Sequence, residues 1–228
     1  MKDVAYIHRD YEVGVSRGPF WQKHLRHPVF GCLGLRPIMA QHPWAEDGGL
    51  QRWVKGRRQI VEIGVAEGAS ALTLRRAMPP DGVLTLIDPF HLSRFRPLNS
   101  TRRLARSALG GCQNGVIWIE EFSSQAVRNW TGAIDFLFID GDHAEAAVRQ
   151  DWDDWHSFVA PGGLVVFHDA RLFPGGWVTP EYGPVKVVHT LFRTKSHPDW
   201  EIVEEVDSLV AVKRQRLSPR PFNHPVGS

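Results

Sequence analysis

Cysteine is scarce in this sequence: Cys32 and Cys112 stand far apart, in neither metal-ligand nor redox spacing. A disulfide framework is therefore not expected, and the chain reads as a protein of the cytoplasm. No run of about 18 apolar residues occurs, which removes a membrane-spanning helix. The opening residues, MKDVAYIHRDYEVG, are charged and lack an apolar stretch, so they do not form a secretory signal. Charge of one sign is missing as well. The 27 Lys and Arg stand against 25 Asp and Glu, for a formal net charge of +2. A dedicated nucleic-acid binder carries a strongly basic face, and this balance argues against one. Internal repeats and low-complexity tracts are also absent.

What remains is ordinary globular composition, 43% hydrophobic and 23% charged over 228 residues. That length can bury a full core and leaves room for an appendage. Residues 1–54 mix Gly, Pro, His and Trp in scattered order, with weak helical periodicity at Phe20–Leu25 and Leu50–Val54. They read as a cap segment with short helices, packed over something rather than folding alone. Its apolar residues have no obvious home within the chain, which suggests a homodimer. From residue 55 to 214 the pattern changes. The runs QIVEIGV, VLTLID, VIWIEE, IDFLFIDG and LVVFHDA are apolar throughout and alternate with helical stretches, the longest from Ala144 to Val159. Such a pattern predicts a Rossmann-like, doubly wound α/β fold whose mostly parallel sheet is covered on both faces. A PGG turn is expected before the last of these strands. GPVKVVHTLFRT reads as a helix, and WEIVEEV with SLVAVKR as an antiparallel pair closing one sheet edge. Residues 215–228, rich in Pro, Gly and polar side chains, read as a disordered tail.

In an open α/β sheet, ligands bind at the carboxyl ends of the strands. The first end is EIGVAEGAS, residues 62–70. Gly64 and Gly68 let the backbone turn tightly, but Ala66 takes the place of the middle glycine of a dinucleotide fingerprint. Pyrophosphate is therefore a poor ligand here, and the acids Glu62 and Glu67 suit a cation instead. The second end carries Asp88, which can accept hydrogen bonds from ribose hydroxyls. At the third, Phe122 and Ser123 can frame a purine. Taken singly, Glu62 reads equally as a helix-terminal charge, Asp88 as an N-cap and Phe122 as core filler.

The set VEIGVAEGAS, LIDPF, FIDGDH and APGGLVVFHDA resembles class I S-adenosylmethionine-dependent methyltransferases over about residues 55–214. More narrowly it is similar to the metal-dependent branch holding macrocin and other sugar O-methyltransferases and the cephalosporin hydroxylase-like proteins. The resemblance implies S-adenosylmethionine as cofactor. Glu62, Gly64, Glu67, Gly68 and Ser70 would line its methionine and ribose, with Asp140 near them. Asp88 would hold the ribose, and Phe122 with Ser123 would flank adenine. The acid-rich loop then faces a cationic sulfonium and ammonium.

The strand ends Asp140-Gly-Asp142-His143 and His168-Asp169 bring acids and imidazoles to one rim. Asp140 and Asp169 are the best oxygen ligands for Mg²⁺. His168 stands where relatives often carry an acid, and its participation would favour Mn²⁺, since imidazole is a poor Mg²⁺ ligand. A metal can orient an alcohol and lower its pKa while a base removes the proton. His143 is the first choice of base, with an unperturbed pKa of ~6.5. Asp142 is the alternative; it could instead orient His143, bind the metal through water, or simply cap the following helix. Glu145, Asp151, Asp153 and Asp154 read as a solvated helix face, and Trp152 with Trp155 as packing.

Acceptor contacts would come from Trp21, His24, His27 and Trp44, from FHLSRFRP, and from the glycine-containing loop FPGGWVTPEYGP with Trp177 and Tyr182. The resemblance favours a small hydroxylated acceptor, a carbohydrate, with methylated mannose oligosaccharides among the candidates. Catechol-type methylation and a non-catalytic cofactor-binding subunit remain open beside it.

Overall fold

A computed structural model describes residues 6–7, 38–40, 42–90, 100–194 and 197–215. The helical stretch at Phe20–Leu25, the side chains Trp21, His24 and His27, most of FHLSRFRP and the tail beyond Gln215 lie outside the described residues. Two short strands, β1 (Tyr6–Ile7) and β2 (Ile38–Met39), pair in parallel. Helix α1 (Trp44–Val54) follows. Then come β3 (Gln59–Ile63), α2 (Ala69–Ala77), β4 (Val83–Ile87), α3 (Ser100–Ala108), β5 (Val116–Ile119), α4 (Ser123–Ala126), β6 (Ile134–Ile139), α5 (Glu145–Trp155), β7 (Val159–Phe167), α6 (Gly183–Val188), β8 (Trp200–Val206) and β9 (Leu209–Arg214).

The main sheet has seven strands in the order β5-β4-β3-β6-β7-β9-β8. The first five run parallel, and β9 pairs antiparallel with both β7 and β8. This is the expected doubly wound sheet with its antiparallel C-terminal pair.

The reason lies in the strand sequences. Successive side chains on a strand point to opposite faces. Ile60, Leu84, Leu86, Phe136, Phe138 and Val166 enter one core with Leu50, Leu72 and Leu104 from α1, α2 and α3. Val61, Ile87, Leu137, Ile139 and Val165 enter the other with Ala126, Trp152 and Val187 from α4, α5 and α6. Both faces are apolar because both are covered, so the strands show no polar alternation. Trp152 and Trp155 are fully buried, as packing residues should be. Truncating either to Ala would remove about 3–5 kcal/mol of stability.

Two local expectations are corrected. The PGG segment is drawn into β7, with a register irregularity between Ile134 and Phe136. Gly162 in this segment is left-handed at φ 86°, and a Cβ on Gly163 would stand 2.6 Å from Val159 Cγ1. Helix α5 ends at Trp155, and one 3-10 turn leads into the strand at Val159. The N-terminal helix α1 is tied to the sheet: Trp53 Nε1 donates to Glu204 Oε2 at 2.6 Å. No helix of the described residues is long and apolar enough to cross a membrane.

Candidate functional site

The order of strands reverses between β3 and β6, and the loops leaving the central strands continue the ladder beyond the strand ends. Asp88 N donates to Ile119 O at 3.1 Å, Gly64 N to Ile87 O at 2.9 Å, Asp140 N to Ile63 O at 2.8 Å, and His168 N to Ile139 O at 3.1 Å. Asp88, Gly64, Asp140 and His168 are thereby set in one row along the carboxyl edge. Gly64 at φ 86° admits no side chain, since a Cβ would meet Asp140 O at 2.0 Å. Beside it, Ala66 is held left-handed at φ 46°.

Asp88 accounts for that loop. Its Oδ2 accepts from Val65 N at 2.9 Å and Ala66 N at 3.1 Å, and its Oδ1 from Phe90 N at 2.7 Å. A carboxylate offers about four acceptor sites, so these three bonds leave about one open.

These loops border a cavity of about 750 Å³. Gly64, Glu67, Ser70, Asp88, Phe122, Ser123, Asp140, Asp142 and His143 line it, and so do His42, Gln150 and Asp151. Glu62, Gly68, His168 and Asp169 stand behind the wall. Gly68 starts α2 at φ 84°. Glu62 is fully buried and accepts a hydrogen bond from Ser70 Oγ. Burial pushes its carboxyl well above the usual range against the pull of that bond, with Asp140 and Asp88 pushing further.

Asp151 does not belong to a solvated face. It is buried and accepts from Ser123 Oγ. Burial raises its carboxyl to about 6, with Asp154 and Asp142 adding to the rise and the Ser123 bond opposing it. Val148, Asp151, Trp152 and Trp155, at i, i+3, i+4 and i+7, form the buried stripe of α5. Phe122, half-exposed, lines the same cavity next to Ser123.

The polar end is built on His168, which is buried. Its Nδ1 lies 2.8 Å from Asp140 Oδ1 and its Nε2 lies 3.4 Å from Glu46 Oε2. Burial disfavours charge on the ring, but Asp140, Glu46 and Asp169 around it hold its pKa well above the ordinary value. Burial would likewise raise Asp140, yet His168 and His143 bring it down to about 2. His143 sits between carboxylates, with Nε2 3.6 Å from Asp140 Oδ1 and Nδ1 3.4 Å from Asp169 Oδ2. Tyr182 packs against its ring at 6.2 Å between centroids. Asp142 is exposed and accepts from Ala144 N at 2.9 Å, a side-chain turn just ahead of α5 rather than a cap on it.

Asp140, His143 and His168 bring one ligand atom each to within 4.8 Å of the others. Two imidazoles and one carboxylate fit a transition ion such as Mn²⁺ better than Mg²⁺. Asp169 borders that trio, its Oδ2 3.4 Å from His143 Nδ1, while its Oδ1 accepts from Trp177 Nε1 at 2.8 Å. Of the expected set Asp140, His168 and Asp169, the first two fall in this cluster.

Sequence reasoning passed over His42, Glu46 and Asp47. Glu46 and Asp47 are buried on α1, and Asp47 Oδ1 takes hydrogen bonds from Thr73 Oγ1 at 2.7 Å and from His42 Nε2 at 2.9 Å. The i, i+3, i+4 stripe of Glu46, Asp47, Leu50, Trp53 and Val54 carries the signal that would have found them.

A glycine-bent loop and a row of acids at the switch point of a doubly wound sheet define a Rossmann-like cofactor-binding protein. Residues 61–170 match the family described as methyltransferase domain. That span holds every strand end of the cavity. Among solved structures, the chain is similar to an O-methyltransferase from Bacillus cereus in complex with SAH, at 15% identity and TM-score 0.61, covering 90% of this chain and 94% of that one. It is also similar to the O-methyltransferase TomG from Streptomyces achromogenes, in complex with SAM, at 17% identity and TM-score 0.58 (91% and 95% covered). A methyltransferase from Geobacter sulfurreducens matches at 16% identity and TM-score 0.55 (91% and 95% covered). These similarities show that the chain shares its fold with solved methyltransferases over about nine-tenths of its length.

Proposed function

We propose that this protein transfers the methyl group of S-adenosylmethionine to a hydroxyl of a sugar or glycoside, a methylated mannose oligosaccharide among the candidates, with the help of a divalent cation. The observation that carries the reading is the row on the carboxyl edge, where Asp140, His143 and His168 converge beside a cavity floored by Gly64 and Asp88. In the reaction the acceptor oxygen attacks the methyl carbon, the carbon–sulfur bond breaks, and the hydroxyl proton leaves to a base. S-adenosylhomocysteine is the other product.

His143 is the base in this reading. Asp169 Oδ2 faces its Nδ1, which leaves Nε2 as the nitrogen that accepts the proton. Asp140 Oδ1 and His168 Nδ1 would hold the cation, which when bound supplies Lewis acidity that orients and acidifies the acceptor hydroxyl. Asp142, engaged at the start of α5, is not needed for proton transfer. Phe122, Ser123 and Asp151 would receive the adenine, and Asp88 one ribose hydroxyl. Trp177 and Tyr182, whose loop reaches Asp169 and His143, would cover the acceptor, and indole faces suit sugar rings. The reading places the enzyme in the cytoplasm on its cysteine usage, and makes it a homodimer on its apolar N-terminal sequence.

Calorimetry with S-adenosylhomocysteine on EDTA-treated protein, with and without added Mn²⁺ or Mg²⁺, tests the cofactor. Mass-spectrometric screening of sugars and catechols for a 14-Da gain tests the acceptor (the mass of the CH₂ added by O-methylation, about 14 Da). Absence of cofactor binding in every condition overturns the reading. Methylation of catechols alone replaces the sugar with a phenol.

A further inference from the structure

We propose that His42, just ahead of α1 and outside the strand-end motifs, binds the amino-acid end of the cofactor. The inference rests on the S-adenosylmethionine reading above. His42 lines the cavity although the fold leaves it only 4% exposed. Its Nε2 lies 2.9 Å from Asp47 Oδ1, an oxygen that also accepts from Thr73 Oγ1 at 2.7 Å. Asp47 and Thr73 are themselves buried. The ring is therefore fixed by α1 and α2 together.

Its place in the cavity selects the part of the ligand it meets. The His42 ring stands edge-on to that of His168, at 6.5 Å between centroids, and so borders the polar end. Phe122 and Ser123 follow β5, at the far side of the parallel strands from β7 and His168. Two ligand groups meet at the polar end, the amino-acid group of the cofactor and the acceptor. The two faces of the sheet separate them. Helices α1 and α2 cover the face that holds Leu50 and Leu72, whereas α5 and α6 cover the other with Trp152 and Val187. His143 leads into α5, and Tyr182 with the Trp177 loop leads into α6. With the acceptor on the α5–α6 side, the His42 side is left to the amino-acid group.

The charge of the cavity gives this contact its value. Among the described residues that line it, Glu67, Asp88, Asp140, Asp142 and Asp151 are acids, and none is Lys or Arg. Those acids suit the ammonium of the amino-acid group but repel its carboxylate. A carboxylate only accepts, so Nε2 of His42 donates to Asp47. The other ring nitrogen serves the amino-acid group in either state of the ring. Charged, it donates to the carboxylate; neutral, it accepts from the ammonium.

The experiment is calorimetric titration of full-length wild type, His42→Phe and Thr73→Val with S-adenosylhomocysteine and with 5′-methylthioadenosine, which keeps the nucleoside and the sulfur but lacks the amino-acid group. Phe keeps a ring of similar size without either nitrogen. Thr73→Val loosens the anchor of Asp47 and leaves His42 in the chain. The expected result is S-adenosylhomocysteine affinity lowered by about 10-fold or more in His42→Phe, the effect of one hydrogen bond to a charged group. Methylthioadenosine affinity in that variant stays at the wild-type value, and Thr73→Val keeps the wild-type preference between the two ligands. If His42→Phe does not fold, His42→Gln, whose amide can still donate to Asp47, is expected to show the same selective loss. Equal loss of both ligands in a folded His42 variant, or no loss of either, overturns the role of His42 while leaving the cofactor reading in place. Wild type that binds neither ligand overturns both.

Discussion

Asp169 joins the acceptor loop to the candidate base: Oδ2 lies 3.4 Å from His143 Nδ1 while Oδ1 accepts the Trp177 indole N–H at 2.8 Å. Asp169 is buried and left-handed, at φ 50°. Asn tolerates that backbone conformation and keeps the Trp177 bond through its amide oxygen. It cannot hold His143 Nδ1–H as a carboxylate does. Asp169→Asn is therefore expected to lower kcat by about 100-fold, at the low end of what proton transfer by a positioned base contributes. Cofactor affinity should stay near wild type. Steady-state kinetics with calorimetry on the same preparations checks this, and an unchanged kcat would remove Asp169 from the orientation of His143.

His143 stands close enough to Asp140 and His168 to ligate a cation with them, yet one nitrogen cannot both ligate and take a proton. His143→Gln distinguishes the roles. As base, its loss is expected to reduce turnover about 100-fold or more while Mn²⁺ and S-adenosylhomocysteine still bind. As ligand, its loss would weaken Mn²⁺ binding first. Parallel turnover and metal titrations read the difference directly.

Asp88 presents a different kind of dependence, because it shapes the site before any ligand arrives. Three backbone N–H groups converge on its carboxylate, and two of them belong to Val65 and left-handed Ala66. Asp88→Asn places an amide N–H against at least one of those donors. Leaving a buried donor unpaired costs about 1–3 kcal/mol. The expected outcome is a lower Tm together with weaker S-adenosylhomocysteine binding. Thermal unfolding and calorimetry would show it, and loss of affinity without loss of Tm would mean the ribose contact alone matters.

Much of this was legible along the chain because parallel strands buried on both faces leave uninterrupted apolar runs. Ligand-facing residues also sit where those runs stop, as at Gly64, Asp88, Asp140 and His168. What was hidden depends on how helices dock. Glu46 meets Ser208 across 162 positions, and an acid in the first turn of a helix ordinarily reads as a solvated charge favoured by the helix dipole. Asp151 was masked by its neighbours Asp153 and Asp154, which suggest a polar face. Its phase with Val148, Trp152 and Trp155 places it inward instead. The carboxylate of Asp88 looked free for ribose because its backbone partners come from loop folding rather than from any motif.

Asp151 yields the pH dependence. In the fold its pKa is about 6 against an ordinary value of 3.8, with burial the main cause. Below about pH 4 both folded and unfolded chains carry it protonated, and its burial imposes no charge penalty. Between about pH 4 and 6 the unfolded chain ionises first, so this group's contribution to stability is lost as pH rises. Above about pH 6 the full penalty applies, at most about 3 kcal/mol from 1.36 kcal/mol per pKa unit. Asp151→Asn keeps an acceptor for Ser123 Oγ and cannot ionise. Its Tm is therefore expected to match wild type near pH 4 and to exceed it at pH 7.5 by several degrees, at about 2–4 °C per kcal/mol for a chain of this size. Thermal unfolding of both proteins across that range is the measurement. A difference in Tm that does not grow with pH would mean that Asp151 is ionised without penalty, with the cavity hydrating it at its Oδ2.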